Sequence, residues 1–521
     1  MNRDHAIPLL HDYLGHSAAR LPHKVALVCG DHRVTYEQLD QRASALAASL
    51  AARGVVRGDR VVVFADNTVD TVVSFWGVMK ANAIVSIVSP LTKVDKLAYL
   101  LNDCRAKVLI SDAHLAHVFA EAAKRSPHLA AVIVSGALDD RATAATSGLP
   151  GVVAWADALA GGAPAPKRAC LDLDLASIIY TSGSTGEPKG VMLTHRNMLT
   201  ACTAIGTYLE VAEDEIILGV LPLAFDYGLY QMIMAFRAGA RLVLERSFAF
   251  PAAVLKKVVD EKVTGFPGVP TIFAVLAGMS SLGDYDFSAI RYVTNTAAAL
   301  PVKHITMLRG LFPAARIYSM YGLTECKRCT YLPPTDIDRK PESVGIAIPN
   351  TELWLVDDHD QKLGPNQVGQ LVIRGATVMK GYWEKPEATA RRLKPGPIPG
   401  EQVLYTGDLC RLDDEGYLYF VGRMDDIIKS RGEKVAPKEV ESAIVAIKGV
   451  REAAVIGVPD DLLGQAVKAF VVLDAGVTLD GKTIQKECAA RLESFMVPKY
   501  VDIIAELPKT NTGKIKKTDL R

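Results

Sequence analysis

Residues 180–190 read Tyr180-Thr181-Ser182-Gly183-Ser184-Thr185-Gly186-Glu187-Pro188-Lys189-Gly190, and they directly follow the apolar run Leu175–Tyr180. Hydroxyls, two close glycines and a lysine are what a polyphosphate loop needs. Glycine lets the backbone turn tightly, so that N–H groups face anionic oxygens. Lys189 adds a mobile positive charge. The stretch is not a Walker A loop. The Gly-Lys-Ser/Thr ending is absent, because Lys189 follows Pro188 and precedes Gly190. The competing reading is a solvated loop of turn-forming residues. An apolar strand that runs straight into the loop argues against it.

Working outward, Val25–Cys29, Val61–Phe64, Ala83–Val88 and Lys107–Ile110 are strand candidates separated by helical patterns, as βα units require. Thr35 and Gln38 form a capping box that opens a helix running to Ala52. Pro150–Asp174 is rich in Ala, Gly and Pro and reads as an irregular connection. After the loop a helix is expected over Asn197–Tyr208. Strands are expected at Ile216–Leu221, Arg241–Leu244, Ile290–Asn295 and Ile317–Met320. Beyond Asp357 short strands such as Gly369–Arg374 and Tyr417–Phe420 are punctuated by Gly, Pro and charge. From Lys438 a compact α+β pattern follows, with helices at Lys438–Ile447 and Thr483–Leu492 around strands Ala453–Val458 and Ala466–Val472. The expected fold class is α/β. A large N-terminal domain of layered α/β subdomains would cover residues 1–424, and a small mobile α+β domain residues 425–521.

A chain of 521 residues exceeds what one hydrophobic core usually serves, so two or more domains are expected. An apolar fraction of 49% and a charged fraction of 22% fit a soluble globular protein. A net charge of +1 gives no nucleic-acid footprint. No stretch approaches the roughly 18 apolar residues of a membrane span, and Met1–Leu10 does not resemble a secretory signal. A cytoplasmic location is expected. Of the eight cysteines only Cys326 and Cys329 are spaced C-x-x-C. A zinc site would need further ligands, a redox pair is an alternative, and buried thiols are the simpler reading.

The segment around residues 180–190 resembles the phosphate loop of the adenylate-forming superfamily, and four further signatures follow in family order. These are Tyr321-Gly322-Leu323-Thr324-Glu325, Tyr405-Thr406-Gly407-Asp408, Gly422-Arg423-Met424-Asp425-Asp426 with Arg431-Gly432, and Pro508-Lys509-Thr510-Asn511-Thr512-Gly513-Lys514. The resemblance implies activation of a carboxylic acid with ATP and Mg²⁺, then transfer of the acyl group to a thiol. It implies that Thr181, Ser182, Gly183, Ser184, Thr185, Gly186 and Lys189 hold the β- and γ-phosphates, and that Thr324 contacts a phosphate. Glu325 would help hold Mg²⁺, Asp408 the ribose hydroxyls, and Arg423 would reach the nucleotide, with Ala297, Tyr321 and Gly322 completing its pocket. Lys514 resembles the lysine that bridges the acid's carboxylate and the α-phosphate, where a positive charge stabilises the transition state more than the ground state. Lys509, Lys516 and Lys517 are solvated lysines by comparison. Asp425 matches the hinge of a rotating C-terminal domain, and Gly432 the thiol channel.

The acid pocket is expected to include Asp226, Tyr227, Thr271, Asn295 and Leu323. Phe225-Asp226 resembles amino-acid adenylation domains, whose aspartate pairs with the substrate's ammonium; the alternative is that Asp226 caps a helix or pairs with a protein side chain. Cys326-Lys327-Arg328-Cys329 resembles a branch of the superfamily with prolyl-type and acyl-CoA ligases. No carrier domain follows Lys514, so the thiol would be CoA or a separate phosphopantetheinyl carrier protein. The expected activity is an AMP-forming acyl-CoA ligase. The alternative is a stand-alone amino-acid adenylation enzyme that loads a carrier. A non-catalytic nucleotide-binding interaction protein would be expected to lack Lys514 or Glu325, and both are present.

Overall fold

The computed structural model describes residues 9–161, 164–181, 187–296, 300–430, 433–460, 464–510 and 514–520. By contact the chain forms two compact units: Met1–Pro341 with Ala347–Thr351 and Arg374–Gln402, and Glu342–Ile346 with Glu352–Ile373 and Val403–Arg521.

The first unit is layered α/β. One of its sheets runs, in spatial order, Gly381–Tyr382, Lys189–Thr194, Leu175–Thr181, Ile84–Val88, Arg60–Phe64, Val108–Asp112, Ala131–Ser135 and Val152–Ala154. The strands from Ile84–Val88 to Val152–Ala154 pair in parallel. Strands covered on both faces read as continuous apolar runs, and Ile84–Val88 and Val108–Asp112 are buried at every position. A core of Val62, Phe64, Leu97, Leu101, Leu109, Phe119 and Val132 fills one side. Each such large side chain contributes roughly 1.5–3 kcal/mol on burial. The helix Tyr36–Ala52 begins with the expected capping box of Thr35 and Gln38. A second sheet contains the parallel neighbours Arg316–Tyr321, Tyr292–Asn295, Gly265–Gly268, Ile216–Gly219 and Arg241–Leu244.

One expectation of the fold is corrected. The stretch Pro150–Asp174 is not wholly irregular: Val152–Ala154 joins the sheet edge and Trp155–Leu159 is a short helix. Three apolar residues are too few to register as a strand without the neighbour they pair with. The helix expected after the phosphate-loop candidate is present, as His195–Leu209, with one further strand before it. The candidate joins two antiparallel strands, Leu175–Thr181 and Lys189–Thr194.

The second unit holds an antiparallel ladder of Val368–Gly375, Gln402–Leu412 and Leu418–Arg423. Its C-terminal part is the expected α+β pattern. Val450–Asp460 and Gly464–Leu473 form a long antiparallel pair, with helices Pro437–Val445 and Gly481–Ala489. Val440, Ile444, Val455, Val467, Val471 and Ile484 make its core. Among the described residues no helix is long and apolar enough to cross a membrane.

Candidate active site

Four adjacent parallel strands of the first unit, Ile216–Gly219, Gly265–Gly268, Tyr292–Asn295 and Arg316–Tyr321, deliver their following loops to one edge of the sheet. In open parallel sheets ligands bind beyond the carboxyl ends of the strands. Asp226 and Tyr227 follow the first strand, Thr271 the second and Leu323, Thr324 and Glu325 the fourth, while Asn295 ends the third. The topology therefore gathers the acid-pocket candidates and the Thr324-Glu325 turn on a common edge. Tyr227 ties the helix after the first strand to the third strand, its hydroxyl lying 2.9 Å from the Thr294 carbonyl oxygen and 2.5 Å from Thr294 Oγ1.

Asp226 opens the helix Asp226–Ala238, where a carboxylate suits the positive end of the helix dipole. It does not cap the helix; Phe225 holds that position. Its partner is Lys327, whose Nζ lies 3.4 Å from Asp226 Oδ2. Both are buried. Burial pushes the Lys327 ammonium down to about 7; Asp226 opposes that fall and Arg328 adds to it. The Lys327 ammonium sits 4.3 Å from the Tyr230 ring centre, and the Arg328 guanidinium 5.0 Å from that of Tyr227. The turn that carries these cations is tight. A Cβ on Gly322 would stand 2.5 Å from the Lys327 carbonyl oxygen, and Lys327 itself is left-handed at φ 59°.

Glu325 is half-buried, and Tyr382 donates a hydrogen bond to its Oε1 at 2.7 Å. Burial, with the Glu325 charge beside it, raises the Tyr382 phenol well above its usual range, so it stays a donor. The Lys189 ammonium lies 5.7 Å from the centre of the same ring. Tyr382 thus brings the lysine that closes the phosphate-loop candidate and the carboxylate of the Thr324-Glu325 turn to one place. The foot of the loop is clamped: Trp383 N donates to the Gly190 carbonyl at 2.7 Å and Tyr99 Oη to that of Pro188 at 3.1 Å. A side chain at Gly190 would meet Ile178 at 2.7 Å, which explains the glycine there.

The chain matches the AMP-binding enzyme family over residues 14–383 and that family's C-terminal domain over residues 439–514. The chain belongs to the AMP-binding enzyme family. A long-chain-fatty-acid–CoA ligase of Bacillus subtilis (strain 168) is 33% identical over 98% of this chain and 94% of its own length. A feruloyl-CoA synthase of Amycolatopsis sp is 33% identical over 96% of both chains. Among solved structures, an anthranilate CoA ligase, AuaEII, in complex with anthranoyl-AMP superposes with a TM-score of 0.89 at 28% identity, covering 99% of this chain and 98% of the other. The resemblance to the adenylate-forming superfamily and the acid–thiol ligase chemistry it implies both hold.

In this AMP-binding enzyme the second unit carries the remaining candidates. Asp408 is buried, and the Arg423 Nε lies 3.2 Å from its Oδ1 across the antiparallel register. Thr406 Oγ1 accepts from the Asp408 N–H and donates to the Leu371 carbonyl, which fixes the Asp408 backbone. Lys514 is exposed, and its N–H donates to Thr510 Oγ1 at 3.1 Å. Of the comparison lysines, Lys509 holds Glu452 and Lys516 holds Asp519, whereas Lys517 is not the solvated lysine expected: it is half-buried and pairs with the buried Glu441 at 2.7 Å. Ser182, Gly183, Ser184, Thr185, Gly186, Ala297 and Gly432 lie outside the described residues, as does the side chain of Asp425. All eight cysteines are unbonded; Cys326 and Cys329 Sγ atoms stand 2.8 Å apart in the core.

Sequence reading missed Tyr382 and the role of Lys327 in this enzyme. Tyr382 lies in a two-residue strand, Gly381–Tyr382, that pairs with the strand carrying Lys189. A strand that short carries no periodic signal. Lys327 follows the Thr324-Glu325 motif in a run of polar and small residues, which gave no sign that its side chain is buried.

Proposed function

We propose that the chain is an AMP-forming acyl-CoA ligase in which Lys189, Thr324 and Glu325 serve ATP and Lys514 serves the adenylation step. The observation that carries this reading is the joining of Lys189 and Glu325 through Tyr382 beside the carboxyl ends of the parallel strands. An oxygen of the acid's carboxylate forms a bond to the α-phosphorus while the bond to the pyrophosphate oxygen breaks. The Lys514 ammonium offsets the charge that gathers on the carboxylate and the α-phosphate. Thiol sulfur then bonds to the acyl carbon, the mixed anhydride's acyl C–O bond breaks, AMP leaves, and the thiol proton passes to solvent.

Mg²⁺ at nucleotide sites is held by one or two carboxylates together with substrate phosphates. Glu325 fits that description: one oxygen is steadied by Tyr382, and the carboxylate stands near the Lys189 end of the phosphate loop. Bound there, the ion would neutralise phosphate charge. Asp408 would accept from the ribose hydroxyls, and Arg423, already its partner, would hold it in line. Asp425 would serve as the hinge between residues 1–424 and 425–521, with Gly432 on the thiol side.

Relatives named as CoA ligases support CoA as the acceptor. The amino-acid reading is weakened by the Asp226–Lys327 pair, because the carboxylate that an ammonium would need already has a cation. The test is acid-dependent pyrophosphate release from Mg-ATP, repeated with Lys514→Ala. The variant should lose about 10²–10³-fold in rate while its melting temperature holds, since Lys514 is exposed. Unchanged release in Lys514→Ala would sink its role, and transfer only to a carrier protein would favour the amino-acid alternative.

A further inference from the structure

The charges at the carboxyl edge of the sheet do not balance. Asp226, Lys327 and Arg328 are 8%, 4% and 1% exposed, so below about pH 7, where Lys327 holds its proton, one carboxylate and two cations lie shut off from water. Lys327 answers Asp226. Arg328 has no carboxylate within ion-pair distance among the described residues. Its guanidinium lies on the Tyr227 ring, its Nη1 reaches the Met320 thioether at 3.4 Å, and its Nε has no hydrogen-bond partner among the described residues. A thioether is a weak acceptor and a ring face only partly offsets a buried charge. Native proteins pair buried cations, and an exception calls for an explanation.

Position supplies one. Arg328 stands three residues after Glu325, on the loop that leaves Arg316–Tyr321, and its ring contact is Tyr227, which follows Asp226. The unpaired guanidinium is therefore at the edge where the acid is expected. We propose that this cluster is the floor of the acid site, and that Arg328 receives a second carboxylate at the far end of a short dicarboxylic acid.

The inference rests on the ligase reading above and narrows its substrate class. Three kinds of acid tail compare as follows. A carboxylate brings the cluster to neutrality, with Lys327 on Asp226 and the ligand on Arg328, and its two oxygens match the planar fork of a guanidinium. A hydrocarbon tail leaves Arg328 without an anion. An ammonium adds a third cation to a single carboxylate. Tyr227 and Tyr230, which flank the two cations, provide an apolar wall for the methylenes between the carboxylates.

The experiment is pyrophosphate release by the full chain with acids matched in length: adipate against hexanoate, glutarate against pentanoate, with 6-aminohexanoate and proline as amine-bearing comparisons. The expected result is at least a ten-fold preference in kcat/KM for the dicarboxylate over its matched mono-acid, carried in KM rather than kcat. Arg328→Met should lose that preference and Arg328→Lys should keep part of it, a graded response that a merely structural arginine would not give. If Arg328→Met fails to fold, the wild-type panel and Arg328→Lys decide. Equal or better use of the mono-acids, or a preference for an amine-bearing acid, would overturn the subsite while leaving the ligase reading intact. Release with none of these acids, nor with longer and aromatic acids added to the panel, would overturn both.

Discussion

Asp226 and Asp408 are both buried carboxylates with a cation beside them, and they differ in what surrounds the cation. The Lys327 side chain is 3% exposed, whereas that of Arg423 is 52% exposed. A sealed pair cannot release its partner without stranding a charge in low dielectric. An open pair can, because the departing cation returns to water at little cost. The contrast suits Asp408 for a hydroxyl-bearing ligand that comes and goes. It suits Asp226 as one half of a fixed ion pair, which is why its resemblance to an ammonium-binding aspartate does not by itself make the substrate an amino acid.

The hardest way to break the comparison is to remove one half of the sealed pair. Asp226→Asn should cost about 3–5 kcal/mol, read as a clear fall in melting temperature. Asp226→Asn with Lys327→Met should recover much of it. A pair that tolerated Asp226→Asn without loss would not be sealed. Asp408→Asn should instead spare the fold and raise the KM for ATP by about ten-fold or more, since hydrogen bonds to a charged group are worth about 1.5–3 kcal/mol. ATP titrations of pyrophosphate release measure it, and an unchanged KM would remove Asp408 from the nucleotide site.

Lys327 also predicts a pH dependence. Its folded pKa of about 7 lies below its usual 10.5, so between those values the unfolded chain holds a proton that the folded chain lacks. Stability should then rise with pH across that window, and the penalty should be complete below about 7. Against the Asp226→Asn, Lys327→Met double variant, wild type should gain about 1 kcal/mol per pH unit from 7 to 9. Parallel stability profiles would contradict the assignment. The smallest effect is expected from Arg423→Ala, within about 1 kcal/mol of wild type. A larger loss in thermal denaturation would show that the second pair is sealed as well.

Much of the fold was legible because its signals are local. The capping box at Thr35 and Gln38 depends on three-residue spacing, and the buried strands are unbroken apolar runs. Elements too short for periodicity escaped notice, namely Val152–Ala154 and Gly381–Tyr382, which are strands only because a neighbouring strand pairs with them. The strand Lys189–Thr194 was hidden by its polar opening, Lys189-Gly190, since a lysine and a glycine read as loop until the hairpin partner is known.

The chemistry proposed was already legible in contiguous motifs: a phosphate-loop candidate fed by an apolar strand, the Thr324-Glu325 turn, Asp408 in the candidate ribose motif, and Lys514. These are legible because each is a contiguous run of neighbouring residues. Only the tertiary structure decided which charge answers which. Tyr382 meets Glu325, Lys327 meets Asp226 and Arg328 meets no carboxylate among the described residues. A buried group takes its partner from whatever the chain's crossings bring within about 4 Å, and no local pattern encodes that choice.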